Sequence, residues 1–301
     1  MAGSESEQSS DQQRKKELDP LVLECCRDLV GSKFPWDINR ALELALLKTF
    51  CLPSISGLLH KTGEFEERPR KRYDDTALMV AELVRLGPDS PQGQAVIQRL
   101  NQIHANYSIR QTDFVYVLSG FVAEPIHWIE KYGWRALRPL EQEALFKFWD
   151  HVGSLMNIEQ RPRSLQEVME LNQRVNHQLF DYAASNQRVA DATVTMLLAP
   201  WPAPLHPWLR SLVCSLLEPE TLKSLNWPLA SGWQQQAAHV ALRWRSFILS
   251  AIHRVKPPKR RRFYSERPTA SYGKHFKLEQ IGPPSMLSSL NCPRRRLTRE
   301  D

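Results

Sequence analysis

Glycine is scarce in this chain, 12 in 301 residues, and no Asn-Gly or Asp-Gly pair occurs. Alternating β-branched runs are nearly absent, so hairpins and half-buried strands have little to build on. Long apolar stretches are missing too. None reaches the roughly 18 residues of a membrane-crossing helix, and the longest, such as Ala41 to Leu52 and Thr193 to Ala199, are short or carry charge. The first residues lack the apolar centre of a signal peptide. These absences predict an all-α, soluble, cytoplasmic protein without a transmembrane segment. The five cysteines are the adjacent Cys25 and Cys26 and the isolated Cys51, Cys214 and Cys292. Without a Cys-x-x-Cys or Cys/His metal spacing, neither a disulfide framework nor a structural zinc site is expected. A Gly-rich phosphate loop, a Gly-x-Ser-x-Gly elbow, a His-Glu-x-x-His pair and the kinase signatures are all missing. Nucleotide, hydrolase and zinc-protease chemistry therefore have no local support.

The charge is present but unevenly spread. Arg254 to Asp301 hold 13 Lys or Arg against 4 Asp or Glu, leaving 27 against 29 in residues 1–253, so the excess of +7 comes wholly from the tail. Residues 1–16 are Ser, Gln, Glu and Lys with almost nothing to bury and are expected to be disordered. Residues 17–255 form the helical domain, 256–285 a basic tail partly packed on it, and 286–301 a disordered end. Helical periodicity predicts helices at 19–30, 37–50, 74–86, 92–107, 111–131, 139–156, 164–182, 187–198, 205–216, 219–224 and 232–253. Prolines punctuate them: Pro53 closes one, Pro139 opens another, and Ser164 with Glu167 makes a capping box. Nine tryptophans are enough to wall an apolar chamber or to serve as ordinary core.

Three polar residues fall on apolar stripes. Thr76 shares a face with Met79, Leu83 and Leu86, with Arg72 one turn earlier; His104 shares one with Ile97, Leu100 and Tyr107. The midpoint of 76 and 104 lies in the breaker Gly87 to Gly93, which predicts an antiparallel pair with Thr76 and His104 level. An unpartnered buried polar group costs about 1–3 kcal/mol, so something is expected to bind between them, in a central pocket of a single globular multi-helix domain. Spacing alone leaves His104 two readings, a core histidine satisfied by its neighbours or a ligand. His60 suits a helix end, His127 and His151 packing or surface, and His177 a solvated face or an approach from a third helix.

The order and spacing of Thr62-Gly63-Glu64-Phe65, Arg72-Tyr73-Asp74-Asp75-Thr76, Ile103-His104-Ala105-Asn106-Tyr107, Asp113-Phe114-Val115-Tyr116, Tyr132-Gly133-Trp134-Arg135 and Tyr272-Gly273 resemble the MpaB-type oxygenases, relatives of the rubber oxygenase (latex-clearing protein) catalytic domain. The resemblance spans about residues 35–285. It implies an all-α fold with haem b, His104 as the proximal iron ligand, and Arg72 and Thr76 as the polar pair beside the haem. The position before the threonine, lysine in rubber-cleaving members, is Asp75 here, and an acid cannot be a distal amine ligand. Rubber cleavage itself therefore does not carry over. The implied function is a haem-dependent oxygenase using dioxygen on a hydrophobic, unsaturated or isoprenoid small molecule. Its cofactor residues would be His104, Arg72 and Thr76, its metal ligand His104, and its catalytic candidates Arg72, Thr76 and Asp75. Arg70 and Arg72 are candidate ion-pair partners of Asp74 and Asp75. The alternative is a non-enzymatic helical binder whose basic tail docks on nucleic acid or an anionic membrane. No motif for specific nucleic-acid reading accompanies that tail, and peripheral membrane contact through it stays open.

Overall fold

Proline starts most of the helices. It is tolerated in the first turn, where its missing N–H would have had no partner and its fixed φ already suits the helix. The computed structural model describes residues 17–258, 260–284 and 286–287, and the expectations for 1–16 and for nearly all of 286–301 fall outside these. Thirteen α-helices form among the described residues: α1 Pro20–Asp28, α2 Pro35–Thr49, α3 Pro53–Thr62, α4 Glu64–Glu67, α5 Pro69–Leu86, α6 Pro91–His104, α7 Gln111–Tyr132, α8 Pro139–Leu155, α9 Leu165–Gln178, α10 Ala184–Leu198, α11 His206–Ser215, α12 Pro219–Ser224 and α13 Gly232–Val255. A π-turn, Leu29–Lys33, extends α1, and short 3-10 turns stand at Ala203–Leu205, Tyr264–Glu266 and Leu278–Gln280. No strand forms among the described residues; Thr269 and Gly273 make an isolated bridge.

The central element is α7, packed by α2, α8 and α9. Ala45 faces Gly120 where α2 and α7 meet, and a Cβ on that glycine would stand 3.6 Å from the alanine's, so two small residues let these helices approach. One apolar core joins α1, α2 and α5 to α8 around Phe34, Leu78, Ile129 and Phe148. A second gathers the end of α2 with α10, α11 and α12 around Phe50, Val189 and Leu222. Between the two runs a charge cluster, buried at Lys48 and Glu124 and reaching the surface at Glu218: Lys48 donates to both oxygens of Glu124 at 2.9 Å and to Glu218 at 3.0 Å. Burial opposes the ammonium charge, yet the two carboxylates hold its pKa above the usual lysine value.

Five sequence expectations need correction. Pro53 does close α2, but it also opens α3, a helix absent from the periodicity reading. The helix expected over 92–107 ends at His104, and the one over 164–182 ends at Gln178, where Asp181 donates its N–H to the carbonyl of Cys51 at 3.2 Å and draws the chain away. Ser164 caps α9 as expected, but Glu167 reaches back to the N–H of Arg163, one residue before the cap. Finally, much of the aromatic stock is not in the core: Trp201, Trp208, Trp233 and Trp244 are exposed.

After α13 the chain returns across α5 and α6. Phe263 and Ile281 are buried. Asp74 accepts from Tyr264 Oη at 2.8 Å and from Ser271 N and Oγ at 3.0 and 2.6 Å. Arg99 donates to the carbonyl of Ile281 at 2.5 and 2.8 Å. A polar strap thus closes over the outer side of the pair.

Candidate functional site

The turn between α5 and α6 sets the site. Gly87 takes φ +88°, a region L side chains rarely enter, and Ser90 accepts the N–H of Gly93 at 3.0 Å to cap α6. A Cβ on Gly93 would run into the Gly87 carbonyl, so the turn needs glycine at both places. Its centre lies between Leu86 and Pro91, one to two residues earlier than the spacing argument places it. At about 1.5 Å per residue this sets His104 level with Tyr73 and Arg72, one turn from Thr76.

His104 is the last residue of α6, half-buried, with its ring edge-on to Phe114 at the start of α7, centroids 5.2 Å apart. Its Nδ1 is buried and meets no hydrogen-bond partner, and the described residues offer none to Nε2. A helix C-terminus would favour imidazolium. Here burial, and after it the Arg72 guanidinium, push the imidazole pKa down to about 4. The ring is neutral at pH 7 with a lone pair uncommitted. Among the described residues Arg72 has no ion pair, and its guanidinium lies over the Phe65 ring at 5.3 Å. Phe65 in turn packs edge-on against Phe50. Thr76 is exposed and donates to the Arg72 carbonyl at 3.2 Å, a bond that leaves its oxygen free to accept.

The Arg72 charge thus bears on the His104 ring, while Thr76 stands a turn along α5 and is exposed rather than turned into a sealed centre. Asp75 is on another side. It is fully buried, accepting from Lys71 Nζ at 2.9 and 3.1 Å, from the Tyr272 hydroxyl and from Gly282 N at 3.2 Å. Lys71 also donates to Tyr272 Oη at 2.7 Å and to the Gly282 carbonyl at 2.8 Å. The ion pairs expected between these acids and Arg72 do not form. Asp75 takes Lys71, and Asp74 has Arg70 at 4.0 Å. Lys71 was not singled out from the sequence, although it lies one turn before Asp75, and Tyr272 stood there only as part of a motif. Phe65 and Phe114 were visible only as parts of motifs.

The remaining histidines are otherwise engaged. His60 meets Glu66 at 2.5 Å and His151 meets Asp89 at 2.7 Å, while His127 and His177 are exposed. His253 also has a buried, unpartnered Nδ1, but its ring abuts Trp134 and the neighbouring Arg245 is paired to Asp37. Among the described residues no three His, Cys, Asp or Glu side chains gather in a set able to hold a metal ion. Several other motif residues are structural: Trp134 Nε1 donates to the Lys33 carbonyl at 3.0 Å, and Arg135 forks onto Glu141 at 2.7 and 2.8 Å.

Comparison with known proteins fits this arrangement. Residues 41–248, which contain α3 to α12 entire and most of α2 and α13, match the family model described as "ER-bound oxygenase mpaB/B'/Rubber oxygenase, catalytic domain". The chain is 27% identical over 250 residues to ER-bound oxygenase mpaB' of Penicillium brevicompactum, covering 77% of this chain and 59% of that protein. It is 30% identical over 210 residues to ER-bound oxygenase mpaB of Penicillium roqueforti, covering 64% and 70%, and 30% identical to mpaB of P. brevicompactum, covering 64% and 53%. It thus spans between about half and seven tenths of these relatives' lengths. With more than half of its residues matched in a single stretch, the chain belongs to the family of the mpaB and rubber oxygenase catalytic domains.

Proposed function

We propose that this chain is a haem b-dependent oxygenase that uses dioxygen on a hydrophobic small molecule, unsaturated or isoprenoid. The observation that carries the reading is the neutral His104 ring, neither nitrogen of which is hydrogen-bonded among the described residues, under the charge of a guanidinium that has no counter-ion among them either. A protein that leaves both groups uncommitted at one mouth is suited to a ligand offering a metal to the imidazole and an anion to the arginine. Haem does both, through its iron and its propionates. No cluster of protein donors gathers around His104 among the described residues, so its metal would arrive with most of its donors already in place. The relatives named as oxygenases support the same class of reaction.

When bound, haem supplies the redox-active iron at which dioxygen is activated. The chain's own residues do the rest. His104, held neutral by burial, keeps a nitrogen lone pair for iron at any pH above about 4. Arg72 would pair with a propionate or place its positive charge where negative charge builds up at the site. The Thr76 oxygen accepts from water or substrate at the same mouth. Phe65 and Phe114 give the entrance an apolar lining that excludes water and suits a hydrocarbon. Asp75 works as a positioning residue: its carboxylate fixes the turn of α5 that aims Arg72 and Thr76.

The test is a visible absorption spectrum of protein purified from haem-replete cells. A Soret band that collapses or shifts in His104→Ala, and weakens in Arg72→Ala, supports the reading. Colourless protein that cannot be reconstituted with haem would overturn it and favour the non-enzymatic binder.

A further inference from the structure

Helix α13 turns its apolar side to water. Trp233, Val240, Trp244, Phe247, Ile248 and Val255 follow helical spacing and at about 100° per residue fall within an arc of about 100°. All are exposed, Trp233 to 72%, Trp244 to 62% and Phe247 to 67%. The helix is firmly seated on its other side: His239 meets Tyr132 Oη at 2.5 Å, Arg245 reaches Asp37 at 2.9 and 3.2 Å, and Ser246 donates to the Gly133 carbonyl at 2.5 Å. The outward direction of the stripe is therefore set by specific bonds. The neighbouring α11 packs against α13, and Trp201, Leu205 and Trp208, leading into α11, are exposed as well. So many exposed large apolar side chains on one face of a helix and the element packed beside it mark a contact with something.

Its border says with what. From Gly232 to Val255 there is no Asp or Glu. Arg243 and Arg254 flank one side of the stripe, exposed and without an ion pair among the described residues, and exposed Lys256, Arg260 and Arg262 follow. Two copies meeting face to face through α13 would bring these cations together with no acid on either helix to answer them. A bilayer bearing anionic headgroups supplies both the apolar interior and the opposing charge, and tryptophan is the side chain most at home at that boundary. The helix does not cross: no single described helix is long and apolar enough for that. We infer that α13 lies in the plane of an anionic membrane surface, with its tryptophans and Phe247 inserted among the acyl chains and Arg243 and Arg254 among the headgroups.

Cosedimentation of the full chain with phosphatidylcholine vesicles, with and without about a third phosphatidylserine, tests this. The chain should bind the anionic vesicles, and Trp244→Ser, Phe247→Ser and Ile248→Ser together should weaken binding by about tenfold or more. These side chains are exposed, so circular dichroism and the unfolding midpoint should stay as in the parent. Arg243→Glu with Arg254→Glu should abolish the preference for anionic over neutral vesicles. That pair carries the test by itself if the triple variant does not fold. Equal sedimentation of parent and variants, or no sedimentation of the parent, overturns the inference. So does a dimer in ultracentrifugation that the serine variant dissolves while vesicles go unbound, since the stripe would then belong to a second copy.

Discussion

The imidazole of His104 leaves a signature in the pH dependence of stability. Its pKa of about 4 in the folded protein lies below the ordinary value of 6.5, because burial and the Arg72 charge both oppose imidazolium. Above pH 6.5 neither folded nor unfolded chain carries the proton, and this residue gives stability no slope. As pH falls from 6.5 towards 4 the unfolded chain takes up the proton first, so stability is lost across that window and levels off below it. His104→Gln should remove this loss. Urea unfolding of both proteins at several pH values reads the difference, and parallel profiles would show that the ring titrates freely. Arg72→Leu in the same experiment should narrow the window from its lower edge, by relieving the repulsion between the two groups.

At the scale of elements, α5 is held by its carboxylates as much as by its apolar side. Asp74 and Asp75 are both fully buried and both spend their oxygens on the returning tail. Asp75→Asn would leave the Lys71 ammonium without its anion and should destabilise the fold by about 2–4 kcal/mol. Combined with Tyr272→Phe, the loss should be less than additive, because both variants open the same knot; strict additivity in urea titrations would contradict the strap. The sequence offered a tail packed on the domain and Arg70 as a partner, but not the knot itself, because two adjacent acids one turn after Arg70 and Lys71 allow several pairings. The helices themselves were legible, since periodicity and proline placed most of them to within a few residues. The exceptions have local causes. Pro53 serves both as a stop and as a start. The first turn of α5 is the polar run Arg70-Lys71-Arg72, without an apolar face to recognise. The candidate site was legible as a pair of helices carrying inward polar groups, but the tight Gly87–Gly93 turn moved Arg72, not Thr76, level with His104. Periodicity placed the helix at 232–253 without telling which way its apolar residues face, because a core and a membrane ask for the same residues.

For the whole molecule, one arrangement joins these parts. The α5–α6 pair is strapped on its outer side by the tail, and at the end where α6 stops an imidazole with no hydrogen-bond partner among the described residues feels the charge of a guanidinium with no ion pair among them. The account stands on that imidazole being a metal ligand, and the most direct measurement is a haem titration of apoprotein with His104 replaced by glycine, followed by added imidazole. The parent should bind one haem with the absorption spectrum of a histidine-ligated iron. His104→Gly should lose that spectrum and recover it when imidazole enters the space left behind. A glycine variant that binds haem with the parent's spectrum, before any imidazole is added, would place the ligand elsewhere and contradict the account.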